Sequence, residues 1–238
     1  MSTPRQPIEW NRLLVEGVVI VASILLAFAI DAWWDKRQEL QDEERQLLSI
    51  VAELDSNAER IREKLDTLAV AEDATRRFLS WMGPEPLPVD QGELKDTFSK
   101  MYSIGSFALL RGASESYLSG ARFETANHER VSKSIAAWDA AGDELEKQYS
   151  WLREAHANLG EYLSDAVPMH YFDASHPLLQ GIQGSRFPFD RTVLLADPKV
   201  ESRISLYLIR IRFVEAQATE LIENQAQLMR LVQSAADK

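Results

Sequence analysis

The feature that most constrains this chain is an apolar run close to its amino terminus. Residues 13–34 read LLVEGVVIVASILLAFAIDAWW, and the 14 residues from Gly17 to Ile30 include neither a charged residue nor a proline. Extended back to Leu13, the run has 18 residues. As a helix these cover about 27 Å, close to the ~30 Å hydrocarbon core of a bilayer. A helix that is apolar on all sides has no polar face to turn to water. We therefore expect residues 13–34 to form a transmembrane helix after a short tail, 1–12, rather than a buried core helix.

Several kinds of side chain are typical of a membrane anchor here. Tryptophans stand before the run and at its end, where their amphipathic rings favour the membrane interface. Small side chains within the run would let a second helix approach closely. Acidic residues stand about one turn inside its start and at its exit. The predicted anchor and packing residues are Trp10, Glu16, Gly17, Ala22, Ser23, Ala27, Asp31, Trp33 and Trp34.

Glu16 has more than one interpretation. Its carboxylate could extend to the near headgroup region beside Arg12, which precedes it by four residues. It could instead pack against a neighbouring helix, or carry an ion or a proton. Because Glu16 lies close to the membrane edge, we favour the headgroup position.

A cleaved signal peptide is the alternative to an anchor. Arg5 and Arg12 would form its basic region, and Ala27-Phe28-Ala29 would be its cleavage site. However, Glu16 interrupts the apolar segment, and no helix breaker separates Ala29 from the polar helix that follows. We therefore predict an uncleaved single-pass anchor in a bacterial inner (cytoplasmic) membrane. Lys and Arg nearly balance across the run, and we expect the long domain on the periplasmic side.

Charge and composition exclude some function classes. The chain has 238 residues and a net charge of −11, which argues against nucleic acid as a partner because phosphate binding needs a basic face. It has no cysteine, which excludes disulfides, thiol nucleophiles and cysteine-ligated metals.

After the run, the apolar residues recur at alternating steps of four and three, as in amphipathic helices that pack side by side. Gly83 and the prolines after it end the first helix, and Asp197-Pro198 begins the last. The first stripe is Leu47, Val51, Leu54, Ala58, Ile61, Leu65 and Leu68. The second is Val131, Ile135, Trp138, Gly142, Leu145, Tyr149, Leu152, His156, Leu159 and Leu163. The third is Ile204, Leu208, Ile211, Glu215, Ala218, Ile222, Gln225, Met229 and Val232, widened by Leu221 and Leu228.

These stripes predict an all-α fold, in which the transmembrane helix is followed by an antiparallel bundle of about three long helices in a domain spanning 35–238. Because neither Gly nor Pro occurs between Asp31 and Met82, the membrane helix and the first bundle helix could be one rod. A short helix is expected at Ser114–Ser119, and an aromatic irregular loop should pack over one end of the bundle. The expected helices are 36–82, 93–104, 127–165 and 198–236, with the loop at 166–197.

Residues with catalytic or metal-binding chemistry are few. His170, Asp173 and His176 are zinc-type ligands, but their spacing in a loop is a weak indication of a metal site. His156, on the second stripe, is expected to be a hydrogen-bonded core histidine. No metalloprotease, nucleophile-elbow or phosphate-loop motif occurs. We therefore expect a protein that is not an enzyme and that uses no metal and no cofactor.

Two segments carry a resemblance. Glu16-Gly17, the apolar run and Asp31-Ala32-Trp33-Trp34-Asp35 resemble the anchor of a bacterial family of uncharacterised single-span membrane proteins. The segment 115–120, with Asn127, Arg130 and Val131, is similar to that family's turn into a long helix. The resemblance implies an anchor and an extracytoplasmic domain, and it implies no catalytic residue.

We therefore expect a membrane-anchored helical scaffold or accessory protein. Its partners would be the lipid bilayer and either another protein or a second copy of the chain. One alternative is an extracytoplasmic module that binds a small ligand and signals through a partner, because an aromatic loop over a bundle end can enclose one. A second alternative is a subunit of an ion-coupled membrane complex that uses Glu16.

Overall fold

The fold is all-α, as the sequence predicts. The computed structural model describes residues 10–120, 128–168, 185, 187 and 189–236, with only the backbone of 10–15 and 166. The described residues form helices and no strand. The helices are α1 (Trp10–Trp81), α2 (Gln91–Tyr102), α3 (Gly112–Ser119), α4 (His128–Ala166), α5 (Arg191–Leu195) and α6 (Pro198–Ala236).

α1 is one uninterrupted helix of 72 residues. It joins the apolar run to the first bundle helix, as the lack of Gly and Pro between them allows. It ends at Trp81, and Gly83 follows with a φ of 155°, a backbone conformation that favours glycine. The backbone N–H of Gly83 donates to the carbonyl of Leu195 at 3.0 Å, so the end of α1 is fixed against α5.

α6 runs antiparallel to both of the other long helices. Towards the distal end, Arg212 donates to Glu72 of α1 at 2.9 Å, and nearer the membrane run Gln225 donates to the carbonyl of Leu54. On the other side, Arg203 donates to a backbone carbonyl near the end of α4 at 3.4 Å. α1 and α4 therefore run in the same direction, and the chain has to return along the bundle between them.

The buried stripe of α4 is the predicted one. Its residues are buried in order along the helix, and His156 alone among them is half-buried. Apolar periodicity alone therefore locates the buried face of this helix.

The buried faces of α1 and α6 contain most of the predicted residues and extend beyond them. On α1, Ile50 and Asn57 are buried in addition to the predicted residues, whereas the predicted Val51 and Leu65 are half-buried. The predicted residues that are buried are Leu47, Leu54, Ala58, Ile61 and Leu68. On α6, the predicted Leu208, Glu215, Ile222 and Met229 are half-buried, the predicted Leu221 and Leu228 are buried, and Tyr207 and Val214 are buried in addition. The physical reason is that each of these helices packs against more than one neighbour, so its buried face is wider than one column of apolar residues.

The predicted loop 166–197 contains a short helix, α5, whose first turn is capped by Asp190 through the Thr192 N–H at 2.8 Å. Leu194 and Leu195 of α5 are buried. Tyr171 and Phe172, two aromatic residues of the predicted loop, lie outside the described residues.

Candidate functional site

The first part of α1 contains a segment long and apolar enough to span a membrane. Every residue from Glu16 to Gln38 is exposed, and none of the 18-residue apolar window is buried inside the chain. The segment is therefore not the buried core helix that was the alternative to a membrane helix. An apolar surface of this extent is stable only when something other than water covers it.

The predicted anchor residues all lie on this one helix. Trp10 is its first residue. Ser23 and Ala27 are four residues apart and share a face, while Gly17 and Ala22 lie on other faces. Adding a Cβ to Gly17 would meet no atom within 4 Å, so no contact in the described chain requires glycine there.

Aromatic and charged residues follow the apolar run at its carboxyl end. The rings of Trp33 and Trp34 lie 6.3 Å apart, and the guanidinium of Arg37 lies 5.6 Å from the Trp33 ring. Lys36 and Glu39 form an ion pair of 2.9 Å one turn later. Such a change from apolar to aromatic and charged residues matches the change from hydrocarbon to headgroups.

Above this segment, the most distinctive site of the bundle is the connection at residues 104–117, which we call the return segment. It runs antiparallel to α1 and α4 in the groove between them, opposite α6. Buried polar side chains of both helices bind its backbone. On α1 these are Glu43, Glu53, Asn57 and Lys64, which are at most 9% exposed.

Asn57 holds the middle of the return segment. Its Nδ2 donates to the carbonyl of Leu110 at 2.8 Å, and its Oδ1 accepts from the Leu110 N–H at 2.8 Å. The amide of Asn57 therefore pairs with Leu110 as a neighbouring strand would, and both polar groups of the side chain are satisfied.

Lys64 and Tyr149 hold the start of the return segment. Lys64 Nζ donates to the carbonyl of Ile104 at 2.7 Å, and the Tyr149 hydroxyl reaches the carbonyls of Ile104 and Gly105 at 2.8 Å each. Nζ also lies 5.1 Å from the Tyr149 ring. Burial lowers the pKa of Lys64 and raises the pKa of Tyr149. Gly105 has a φ of 62°, a left-handed conformation that glycine adopts without strain.

Glu53 caps the amino terminus of α3 from outside that helix. Its two carboxylate oxygens accept from the N–H groups of Ala113 at 2.7 Å and Ser114 at 3.0 Å. The first N–H groups of a helix have no partner within it, and an anionic acceptor there is stabilising. At the far end of α3, the Tyr117 hydroxyl joins Glu43 at 3.2 Å and His128 Nδ1 at 3.0 Å. Burial and Glu43 raise the pKa of Tyr117.

α4 closes the other side of the return segment. Glu146 accepts from the Leu109 N–H at 3.0 Å, and Arg111 forms an ion pair with Asp143. Gly142 lies opposite, where an added Cβ would come within 2.8 Å of Leu109 and 3.2 Å of Arg111. An added Cβ would therefore displace the ends of the Leu109 and Arg111 side chains, which lie against the helix at this point.

The chemistry of this network is structural. Its carboxylate, amide and ammonium groups are engaged with backbone N–H and carbonyl groups, which keeps an extended segment paired inside a helical bundle. Among the described residues, no group of three or more His, Asp or Glu is placed to hold a metal ion. The weak candidates His170, Asp173 and His176 lie outside the described residues.

The predicted core histidine, His156, lies between two tyrosines. Its ring centroid is 4.4 Å from that of Tyr102 and 6.0 Å from that of Tyr207. Its Nε2 is buried without a hydrogen-bond partner, and burial lowers the pKa of the imidazole.

A second polar cluster joins α1 to α6. Glu72 accepts from Arg76 at 2.7 Å and from Arg212 at 2.9 Å, and it hydrogen-bonds to the carboxyl of Glu215. Burial and the neighbouring Glu72 raise the pKa of Glu215 to about 7. Burial also acts to raise the pKa of Glu72, but the hydrogen bonds from the two arginines outweigh it and the pKa is lowered.

A groove of about 440 Å³ lies between α4 and α6. Trp138 lines it and is 2% exposed, and its indole Nε1 has no hydrogen-bond partner. The other lining residues are uncharged: Ser134, Ala137, Asn224, Gln227, Leu228 and Leu231.

No protein-family model, no curated protein and no solved structure matches this chain.

The sequence analysis did not identify the side chains of α1 that bind the return segment, because these side chains are polar and the predicted stripes consist mainly of apolar residues. A pattern was nevertheless present. Every seventh residue of α1 belongs to one column on the helix surface, and three members of this column, Glu43, Asn57 and Lys64, are polar. The full column is Glu43, Ile50, Asn57, Lys64, Ala71 and Phe78, all buried.

Proposed function

We propose that this protein is a single-pass, membrane-anchored helical scaffold or accessory protein that acts by contact rather than by catalysis. The observation that carries the proposal is the continuity of α1, whose first part is apolar and exposed and whose second part is the core of the bundle. A rigid helix of this kind fixes the bundle at a set distance and orientation relative to the membrane.

The domain beyond Trp34 is proposed to lie on the periplasmic side of a bacterial cytoplasmic membrane. The support is the resemblance of the anchor segment. The acidic net charge of −11 disfavours nucleic acid as a partner, and the proposed partner is another protein or a second copy of this chain.

Membrane extraction with a proteolysis assay tests the proposal. The full chain is expected to resist alkaline carbonate, and residues beyond 40 should be cut by protease in spheroplasts whose inner membrane is intact. Protection of those residues would reverse the orientation and leave the anchor in place. A mature amino terminus at Ile30 would instead show cleavage and contradict the anchor.

A ligand-binding module is the second candidate, because the groove beside Trp138 offers a buried indole N–H without a partner. An uncharged groove of this kind suits a small amphipathic molecule that supplies a hydrogen-bond acceptor. If this candidate is right, the purified chain will carry a bound small molecule and be thermally stabilised by it. Replacing Trp138 by Phe should remove that stabilisation and leave the fold intact.

A further inference from the structure

α6 carries an apolar stripe on the side that faces away from the bundle. Leu206, Ile209 and Phe213 are 49%, 49% and 52% exposed. They are spaced by three and then four residues, which places them on one face of the helix, and we call these three residues the α6 outer stripe. Exposed apolar residues are unremarkable when single, but a contiguous set is typical of an interaction surface.

The spacing of the α6 outer stripe suits another helix lying alongside. Steps of three and four are those of the a and d positions of a two-stranded coiled coil. The exposed Ala216 continues the same register, and the exposed Ser202 precedes it. The face therefore carries no charge from 202 to 216, so two identical faces can meet without like charges opposing each other.

The charged residues beside the stripe are already engaged within the chain. Arg212 forms its ion pair with Glu72, and the Arg210 guanidinium lies 5.2 Å from the ring of Trp151. Both arginines are thus drawn toward α1 and α4, and the outer face of α6 stays apolar.

The distance of the α6 outer stripe from the membrane favours a second copy of this chain as its binding partner. The pairing of Arg212 with Glu72 places the stripe beside that part of α1. The 38 residues of continuous helix that follow Trp34 and end at Glu72 correspond to about 57 Å. Every copy anchored in the same membrane therefore presents the same stripe, at the same height and in the same direction.

We propose that the α6 outer stripe is the contact between two copies of this chain, packed in parallel about a two-fold axis along the membrane normal. The proposal rests on the proposed membrane anchoring. Such an interface is isologous, so Ile209 meets Ile209 of the second copy and Phe213 meets Phe213. The contact is small compared with that of a stable soluble dimer, and confinement to one membrane offsets this by raising the effective concentration.

Single-cysteine cross-linking in membranes tests this arrangement directly, because the natural chain has no cysteine. In a parallel symmetric pair each stripe position faces itself, so the full chain carrying either Ile209→Cys or Phe213→Cys should form a disulfide dimer on mild oxidation. The matched control is Val70→Cys, which is 52% exposed on α1 and lies toward α2. We expect severalfold more dimer at the stripe positions than at Val70.

A second substitution separates a specific contact from random collision. Adding Phe213→Glu to the Ile209→Cys chain should lower its cross-linking severalfold, whereas adding Val70→Glu should leave it unchanged. Equal cross-linking at Ile209 and Val70, or a disulfide from Ile209→Cys to another protein, would overturn the second-copy proposal.

The same samples are tested for carbonate resistance, which separates the two proposals. A resistant chain without stripe cross-links keeps the anchor and loses the interface. If carbonate extracts the chain, the proposed membrane anchor is wrong. The proposed contact between two copies then stands if the extracted protein still cross-links at Ile209 in preference to Val70, and is wrong if it does not.

Discussion

A buried carboxamide lowers stability unless both its donor and its acceptor are paired. Asn57 meets this condition through Leu110 alone, so its side chain and the return segment depend on each other. The sequence could not reveal this, because nothing in the spacing of residues 57 and 110 indicates that they meet. What the sequence does show is that Asn57 lies in one column with Glu43 and Lys64, between apolar residues at Ile50 and Ala71.

Replacing Asn57 by Ala should destabilise the bundle by about 1–3 kcal/mol, because it removes both hydrogen bonds and leaves a small cavity. Urea unfolding of the full chain in detergent measures this change. Ser56→Ala is the control, since Ser56 is exposed and bonds only within its own helix, to Ala52. If the two variants unfold at the same urea concentration, Asn57 does not hold the return segment as described.

Glu215 should make the stability of the bundle depend on pH. Its pKa is raised to about 7 by burial and by Glu72, from an ordinary value of 4.5. A folded-state pKa above the unfolded value means that its stabilising effect is complete below about pH 4.5 and is lost as pH rises through 7. The free energy of unfolding should therefore fall across this window.

Glu215→Gln should flatten that dependence, because the amide still donates to Glu72 and does not ionise. Thermal melts from pH 5 to pH 8 compare it with Glu220→Gln, an exposed position on the same helix. If the melting temperature of Glu215→Gln depends on pH as steeply as that of the Glu220→Gln control, groups other than Glu215 cause the pH dependence.

At the scale of the elements, α4 was the most predictable of the three long helices. The stripe of α4 is apolar throughout apart from His156, so periodicity alone identified its buried face. On α1 the buried face also includes polar residues such as Asn57, which apolar periodicity does not identify, whereas the apolar Val51 and Leu65 are half-buried. Periodicity identifies a helix and its general buried side. It does not specify how many neighbours share that side.

Leu145 tests the packing of α4, because it lies at the middle of its stripe and is 1% exposed. Leu145→Ala should lower the free energy of unfolding by ~2–5 kcal/mol, from lost burial and the cavity left behind. The control is Ser150→Ala on the exposed side of the same helix. An unchanged melting temperature for Leu145→Ala would mean that this stripe is not the core of the bundle.

At the scale of the whole molecule, the sequence indicated one rod and a bundle but not the path of the chain through it. The rod was predictable because helix breakers are absent from Asp31 to Met82. The parallel course of α1 and α4 was not, because it depends on a return segment held by Glu53, Asn57 and Lys64. Contacts of this kind join residues far apart in the chain and leave no periodic pattern.

The central claim is that one continuous helix both spans the membrane and forms the core of the bundle. The most direct test is a distance measured by pulsed electron paramagnetic resonance in lipid bilayers, with spin labels at Ala32→Cys and Asp66→Cys, both exposed positions of α1. An unbroken helix predicts one narrow distribution centred near 51 Å between these residues. A broad distribution, or one centred at a clearly shorter distance, would show a break between the apolar run and the bundle and would contradict the account.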